Sequence, residues 1–226
     1  RLLVPGAALV VGAAVQALTG EKDGKKEFSS IIVERNTPGF SAMAMHDKLC
    51  WRGSDTAQLF FDHCTVPEEN LLGERGKGDL MMLKTLDSGR LSIAAMGLGL
   101  AQGAFEMALQ YAHEREQFGK PLVNFQVISF KLADMATKIE LARNLLYKAC
   151  WLRDTDKPFA KEAAMSKLYC SEIAKEIADD AVQIHGGYGL MKDYDIERFY
   201  RDQRILQIGE GTSEIQRLVI ARSLGL

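Results

Sequence analysis

The sequence predicts a mainly α-helical protein in which a C-terminal up-and-down four-helix bundle follows part of an antiparallel β domain. Short β-rich runs alternate with turn signals in residues 1–75, whereas residues 76–226 place apolar side chains at helical spacing over long stretches. Long helices joined by short loops are typical of an up-and-down bundle. We therefore expect two domains, a partial β domain at 1–75 and a helical domain at 76–226.

Three or four strands are expected in the first domain. Residues 7–15 (AALVVGAAV), 28–35 (FSSIIVER) and 56–66 (TAQLFFDHCTV) are apolar or rich in β-branched and aromatic side chains, which favour strands. The segment EKDGKKE and the pair Pro38-Gly39 predict turns between them. These strands are too few to form a stable domain easily, so we expect part of an antiparallel sheet or barrel.

Four helices are expected in the second domain. The third begins near Pro158 and ends at Gly186-Gly187, and the fourth opens at Thr212 or Ser213. The apolar stripe of the first helix consists of Leu80, Leu83, Leu86, Ile93, Met96, Leu100, Gly103 and Met107. The stripe of the second consists of Phe125, Ile128, Leu132, Met135, Ile139, Ala142, Leu146, Ala149 and Leu152.

Composition excludes several classes of protein. The chain has 226 residues and a net charge of -2, from 28 basic and 30 acidic side chains, so it lacks the basic excess of a nucleic-acid-binding protein. No uninterrupted apolar run approaches the roughly 18 residues that span a bilayer, so no membrane segment is expected. The four cysteines, at 50, 64, 150 and 170, form no CxxC pair and have no nearby histidine at metal-ligand spacing. We therefore expect no metal site and a reducing compartment.

The segment GEGTSEIQ places Glu210 between Gly209 and Gly211, directly after an apolar run. One interpretation is an ordinary helix N-terminus, in which Ser213 and Gln216 form a capping box and Glu210 complements the helix dipole. The other is an active site, in which exposed N–H groups bind an anion or enolate while the carboxylate removes a proton.

Two pieces of the first long helix have two interpretations each. Asp87 and Arg90 lie three residues apart, as in a surface ion pair or in a pair that grips a polar substrate tail. At the end of the helix, Arg115, Gln117 and Phe118 converge on a chain reversal. They form either a solvated helix end or a phosphate-binding arginine beside an aromatic side chain that packs on a ring system.

The segment QIHGGYG ends the third helix. Gly186 and Gly187 fit an ordinary helix C-cap, or a stretch of main chain that a flat cofactor approaches closely. His185 is expected to be a packed histidine rather than a catalyst, because no acidic partner follows at useful spacing.

Taken in their order and spacing, these segments resemble the acyl-CoA dehydrogenase family over nearly the whole chain. The matching segments are TPGF, DKLCWRGSDTAQLFFDHCTVPEENLLGERGKG, REQFGKPL with the following FQ, FKLADMA, QIHGGYG and RDQRILQIGEGTSEIQR. The pattern is that of the C-terminal two-thirds of the family's short- and medium-chain type. Residues 1–75 would then be part of the family's middle β domain. The family's N-terminal helical domain has no counterpart in these residues, so we expect the C-terminal part of a longer chain.

The resemblance implies that FAD oxidises an acyl-CoA thioester to the trans-2-enoyl-CoA. Glu210 matches the base that takes the α proton while hydride leaves the β carbon for the flavin. The backbone N–H of Glu210 is expected to donate to the thioester oxygen, and Gly211 to leave room for the acyl chain. One branch of the family carries its base at the position of Gly89, and the glycine there leaves Glu210 as the expected base.

The resemblance also assigns binding residues. The cofactor-binding set is Arg115, Gln117, Phe118, Gln126, Gln183, Ile184, His185, Gly186, Gly187, Thr212, Ser213 and Glu214. The substrate-binding set is Asp87, Arg90 and Gly211. The FAD contacts are shared between subunits, which implies a homo-oligomer, usually a dimer of dimers.

Electrons are expected to pass to electron-transferring flavoprotein, in the bacterial cytoplasm or the mitochondrial matrix. Two alternatives stay open. The first is that the chain is a helical oligomerisation module that keeps the fold without flavin, and the second is that it is a relative that acts in the reductive direction on an enoyl-CoA. Flavin colour after purification distinguishes the first alternative, and kinetics with both substrates distinguish the second.

Overall fold

The structure, a computed structural model, describes residues 2–5 and 12–226, with the side chains described from residue 12 onward. It divides into two compact units, Arg1–Thr85 and Leu86–Leu226. The change of pattern in the sequence lies ten residues earlier, and the domain boundary at residues 75–76 stays a prediction. Of the strand expected at 7–15, residues 7–11 lie outside the described part of the chain.

The described part of the first unit contains six strands in two small antiparallel sheets. The antiparallel pairing is as expected, but the sequence predicts only three or four strands, in part of one sheet or barrel. The strand orders of the two sheets are β1-β5-β4 and β2-β3-β6. The strands β1, β4 and β6 were not among the expected runs. The strands are β1 Leu2–Pro5, β2 Gly12–Lys22, β3 Lys25–Glu34, β4 Phe40–Ala44, β5 Thr56–Phe61 and β6 Leu71–Leu72.

The two turns that the sequence predicts in this unit both use left-handed backbone. Asp23 and Gly24 connect β2 to β3 with φ values of 51° and 71°, which matches the twist of a two-residue hairpin. Gly39, before β4, has φ of 81°, and a Cβ there would lie 2.0 Å from the carbonyl oxygen of Asp62. Only glycine fits the second turn, and the Pro38-Gly39 prediction of a turn is confirmed.

The second unit is helical and contains a small hairpin of β7 and β8 between the first two helices. Its central helix is α3, which packs against α2, α4 and α5. The helix α4 was not predicted. The helices are α1 Gly78–Glu114, α2 Gln126–Asp154, α3 Ala160–His185, α4 Ile196–Asp202 and α5 Ser213–Ser223, and the strands are β7 Glu116–Gln117 and β8 Lys120–Pro121. The mainly α-helical fold class is confirmed.

The predicted stripe of α2 is confirmed, but that of α1 is wrong over much of its length. Leu80, Leu83 and Met96 are exposed, and the buried face is displaced from them and rich in alanine. Small residues at this face let helices approach closely: a Cβ on Gly97 would lie 2.8 Å from the carbonyl oxygen of Cys170 on α3. The buried apolar residues of α1 are Leu91, Ala94, Leu98, Ala101, Ala104, Ala108 and Ala112.

By length and composition alone, α1 is the one described helix that is apolar enough to cross a membrane. The core helix of a water-soluble protein passes the same test, so this is weak evidence. The expectation of no membrane segment stays a prediction.

Candidate active site

The centre of the site is the loop that joins the end of α4 to α5. A 3-10 turn, Gln203–Gln207, leads into it, and the loop carries Glu210 and Gly211 with φ values of 54° and 91°. Left-handed backbone is uncommon for a residue with a Cβ and costs roughly 1–2 kcal/mol. Such a conformation persists only where the surroundings hold it, so the contacts of this loop decide where the Glu210 carboxylate lies.

Side chains of α3 and α5 donate hydrogen bonds to the main chain of this loop. Gln216 Nε2 donates to the carbonyl oxygens of Glu210 at 3.2 Å and Gly211 at 2.9 Å, and Lys167 Nζ donates to that of Gly211 at 2.7 Å. Ser171 Oγ donates to the carbonyl oxygen of Leu206 at 2.9 Å, a bond shared with the carbonyl of its own preceding turn. The loop is therefore fixed at Leu206, where it begins, and at its strained residues Glu210 and Gly211.

The beginning of α5 differs from the expected capping box. Thr212 is the N-cap, and its side chain accepts from the N–H of Ile215 at 3.4 Å. Ser213 Oγ is buried and has no hydrogen-bond partner within the described residues. The Gln216 amide turns toward the loop instead of back to the cap. Gln216 therefore stabilises the main chain of the Glu210 loop instead of capping helix α5.

Gly211 has a structural reason for being glycine that the sequence does not reveal. Besides its φ of 91°, a Cβ on this residue would lie 2.8 Å from Gln216 Nε2. A side chain here would push away the amide that holds the loop. Its expected role in leaving room for an acyl chain stays a prediction.

The Glu210 carboxylate lies against Gly89 of α1. A Cβ built on Gly89 would be only 2.5 Å from Glu210 Oε2 and 3.1 Å from its Cδ. Glycine is therefore the residue that leaves the carboxylate this position. Gly89 and the Glu210 carboxylate are thus adjacent in space.

Two buried cations occupy the same unit. Arg90 is 5% exposed and donates from Nη1 to Asp87 Oδ1 at 2.5 Å, so the pair is not the surface ion pair of the simpler interpretation. Burial raises the pKa of Asp87, and the charge of Arg90 opposes the rise. The Nε atom of Arg90 is buried without a partner in the described part of the chain.

Lys167 is fully buried in α3 and was not among the expected site residues. Burial lowers its pKa to about 8, and the charge of Arg90 adds to the effect, while Glu210, Glu214 and Glu172 oppose it. The signal was present in the sequence, since this lysine occupies the apolar stripe of α3 between Ala163-Ala164 and Ile173. A charged residue on a buried stripe requires a partner, and here the partner is the loop.

The second cluster of expected residues lines one cavity of about 550 Å³. Its walls come from the end of α1 and from the turn after α3. Ideal Cβ atoms on Gly186 and Gly187 would meet nothing within 4 Å, so the glycines open main chain toward this space. The lining residues are Tyr111, Arg115, Gln117, Leu122, Ile184, His185, Gly186, Gly187, Tyr188 and Met191.

His185 is packed, as expected for a structural histidine. Its Nδ1 lies 2.7 Å from the carbonyl oxygen of Ala181, and its ring stacks on Tyr111 with centroids 4.3 Å apart. Burial lowers the pKa of His185, and the hydrogen bond to the main chain opposes the change. The neutral imidazole is therefore favoured.

The other expected cofactor residues lie outside the lining of this cavity. Phe118 is 93% exposed, in a left-handed turn with φ of 51°, and Gln126 is the exposed first residue of α2. Gln183 lines a separate cavity of about 390 Å³, and Thr212 and Glu214 lie beside the Glu210 loop. The structure thus gathers Arg115, Gln117 and the 184–187 turn into one place, and leaves the rest apart.

The described part of the chain thus combines a mainly helical unit, a carboxylate on a strained loop and a glycine-lined cavity beside an arginine. The profile of the family described as "Acyl-CoA dehydrogenase, C-terminal domain" matches residues 76–225. The chain therefore belongs to the acyl-CoA dehydrogenase family, as the resemblance indicated.

Individual relatives agree with this assignment. A probable acyl-CoA dehydrogenase of Bacillus subtilis is 53% identical over 211 residues, which is 93% of this chain and 56% of the relative. An acryloyl-CoA reductase (NADH) of Anaerotignum propionicum is 51% identical over 208 residues, 92% of this chain and 53% of the relative. The structure of butyryl-CoA dehydrogenase from Megasphaera elsdenii superposes with a TM-score of 0.95 at 42% identity, over 100% of this chain and 59% of that one. The chain thus spans little more than half the length of its relatives.

Proposed function

We propose that this chain carries the proton-transfer half of an FAD-dependent acyl-CoA dehydrogenase, which converts an acyl-CoA thioester to the trans-2-enoyl-CoA with Glu210 as base. The observation that supports it most directly is the carboxylate held on a strained loop against Gly89, where a Cβ would lie 2.5 Å from Glu210 Oε2. Enzymes hold a base in a fixed position because a misplaced one loses most of its effect.

In the proposed reaction the Cα–H bond breaks and its proton goes to a carboxylate oxygen of Glu210. The electron pair left on Cα forms the Cα=Cβ double bond as hydride leaves Cβ. When bound, FAD supplies the acceptor for that hydride. The main-chain N–H of Glu210 donates to the thioester oxygen and stabilises the negative charge that develops there.

We propose that the cavity beside Arg115 holds part of FAD. The residues fit a dinucleotide: a guanidinium suits a pyrophosphate, and Gly186 and Gly187 offer main chain that nothing covers within 4 Å. Phe118, 93% exposed, is an apolar ring with little cover from its own chain, which fits a contact that a cofactor or second subunit completes.

The remaining assignments follow from the same proposal. Asp87 and Arg90 are expected at the substrate entrance, with the buried Nε of Arg90 retaining a hydrogen to donate. A homo-oligomer, a dimer of dimers, completes the shared FAD sites. Electron-transferring flavoprotein accepts the electrons. The four cysteines are all free thiols, which is consistent with a reducing compartment.

An anaerobic titration with butyryl-CoA tests the proposal. The parent, Glu210→Gln and Glu140→Gln are compared after loading with FAD, the last being an exposed glutamate on α2. We expect flavin absorbance to bleach in the parent and in Glu140→Gln, and to persist in Glu210→Gln with flavin still bound. Equal bleaching in all three contradicts the role of Glu210. A parent that retains no FAD means either that FAD binding requires the additional sequence that the longer relatives have, or that the chain is an oligomerisation module.

A reductive relative is the second candidate, because a protein named acryloyl-CoA reductase is 51% identical to this chain. The same residues serve either direction, with Glu210 returning the proton to Cα. Steady-state rates with butyryl-CoA and with crotonyl-CoA plus reduced electron-transferring flavoprotein decide which direction the protein favours.

A further inference from the structure

We propose that Lys167 is a positioning residue for Glu210: its buried ammonium group holds the Gly211 carbonyl and thereby fixes where the catalytic carboxylate lies. The inference rests on the proposed function of Glu210 as base. It adds a residue on a different helix, which the Glu210 segment itself does not contain.

The geometry of the loop requires external donors. Glu210 and Gly211 are consecutive left-handed residues, with φ of 54° and 91°, and the carbonyl oxygens of both accept hydrogen bonds from side chains. Fixing these two carbonyls fixes the peptide planes on both sides of Gly211, and so the direction in which Glu210 leaves the main chain. Gln216 Nε2 donates to both carbonyl oxygens, whereas Lys167 Nζ donates only to that of Gly211, at 2.7 Å.

Stability of the fold does not account for a lysine at this place. A fully buried ammonium carries a large desolvation penalty, and apolar residues of similar volume often stabilise such sites equally or better. The neighbouring buried positions of α3 are small or apolar, Ala163, Ala164 and Cys170 among them. A methionine would satisfy the packing, so the lysine needs a reason beyond packing, and the Gly211 carbonyl supplies it.

The charges around Lys167 come from three other parts of the unit and from its own helix. Arg90 of α1 repels it, and Glu210, Glu214 of α5 and Glu172 of α3 attract it. The balance holds the pKa at about 8, so the ammonium form predominates at neutral pH. A charged donor makes a stronger bond to a carbonyl than a neutral one.

Lys167→Met in the FAD-loaded protein tests the proposal, with Lys175→Met, an exposed lysine of the same helix, as the matched control. The first readout is amide hydrogen exchange of residues 207–213, measured without substrate. We expect faster exchange in this loop in Lys167→Met, an unchanged melting temperature or a higher one, and the parent's exchange in Lys175→Met.

The second readout is kinetics with butyryl-CoA and its α-deuterated form. Loss of one charge-assisted hydrogen bond predicts a fall in kcat of about tenfold to a hundredfold. We expect KM to stay within about twofold and the isotope effect on flavin reduction to increase, because proton removal becomes more rate-limiting.

The outcomes separate this proposal from the function on which it rests. If the parent does not oxidise butyryl-CoA, the proposed function fails, and the exchange measurement alone decides whether Lys167 holds the loop. If Lys167→Met does not fold, or melts well below the parent, the lysine supports the fold and the proposal is overturned. Exchange and kcat that match those of Lys175→Met overturn it as well.

Discussion

The substitution Gly89→Ala should stabilise helix α1 and at the same time displace the carboxylate of Glu210, the proposed base. Glycine in the interior of a helix costs about 0.5–1 kcal/mol relative to alanine, and Gly89 lies well inside α1. The new Cβ would be 2.5 Å from Glu210 Oε2, the far end of a flexible side chain. The carboxylate has to move by about 1 Å to reach an ordinary contact distance. We expect the free energy of unfolding to be unchanged or to rise by up to about 1 kcal/mol.

The expected effect on activity is opposite in sign and larger. A misplacement of about 1 Å lowers the rate of a well-oriented reaction by roughly a hundredfold. Rapid-mixing measurement of flavin reduction by butyryl-CoA, with urea unfolding on the same preparations, checks both halves of the prediction.

Gly99→Ala is the control, because a Cβ there meets nothing within 4 Å on the same helix. It should gain similar stability and keep the parent's rate. If Gly89→Ala keeps the parent's rate while Glu210→Gln loses it, the contact between Gly89 and the carboxylate does not fix the base, and the reasoning is refuted.

Three further predictions concern other parts of the molecule. The pKa of Lys167 in the folded state is lowered from 10.5 to about 8, so the unfolded chain binds more protons between these pH values. The free energy of unfolding, measured with urea from pH 7.5 to 10.5, should therefore rise with pH by at most about 3 kcal/mol relative to Lys167→Met. The same pH dependence in the parent and in Lys167→Met contradicts this prediction. Gly103→Ala would place a Cβ 2.8 Å from the ring of Phe199 and should destabilise by about 1–3 kcal/mol, seen as a lower urea midpoint; an unchanged midpoint means the ring moves freely. Gly187→Ala meets no atom of its own chain within 4 Å and should leave the melting temperature of the flavin-free protein unchanged while weakening FAD binding about tenfold or more in fluorescence titration; unchanged FAD affinity places the cofactor elsewhere.

The predictable part of the fold is the part whose core positions hold large apolar side chains. On α2, Leu132, Met135, Ile139 and Leu146 are both conspicuous in the sequence and buried in the structure. On α1 the buried face is built mainly of alanines, while large residues such as Leu80 point outward. A prediction that gives most weight to large apolar side chains therefore assigns the wrong buried face to α1, because closely packed helices require small residues where they touch.

The position of the candidate loop was predictable from the sequence, but the contacts that hold the loop were not. Glu210 flanked by glycines indicates a special loop, but the left-handed φ of Glu210 itself follows from tertiary contacts. Gln216 looked like a capping residue because a glutamine three residues after a serine is the pattern of a capping box, whereas its amide donates to the carbonyls of Glu210 and Gly211. Lys167 lies 44 residues from the carbonyl it holds.

The most direct test of the central claim is a single-turnover comparison of butyryl-CoA with its α,α-dideuterated form in the FAD-loaded parent and in Glu210→Gln. With Glu210 as the base, flavin reduction in the parent is several-fold slower with the deuterated substrate, and Glu210→Gln binds flavin and substrate without reducing the flavin. Reduction in Glu210→Gln at the parent's rate, with the same isotope effect, would show that another group removes the proton.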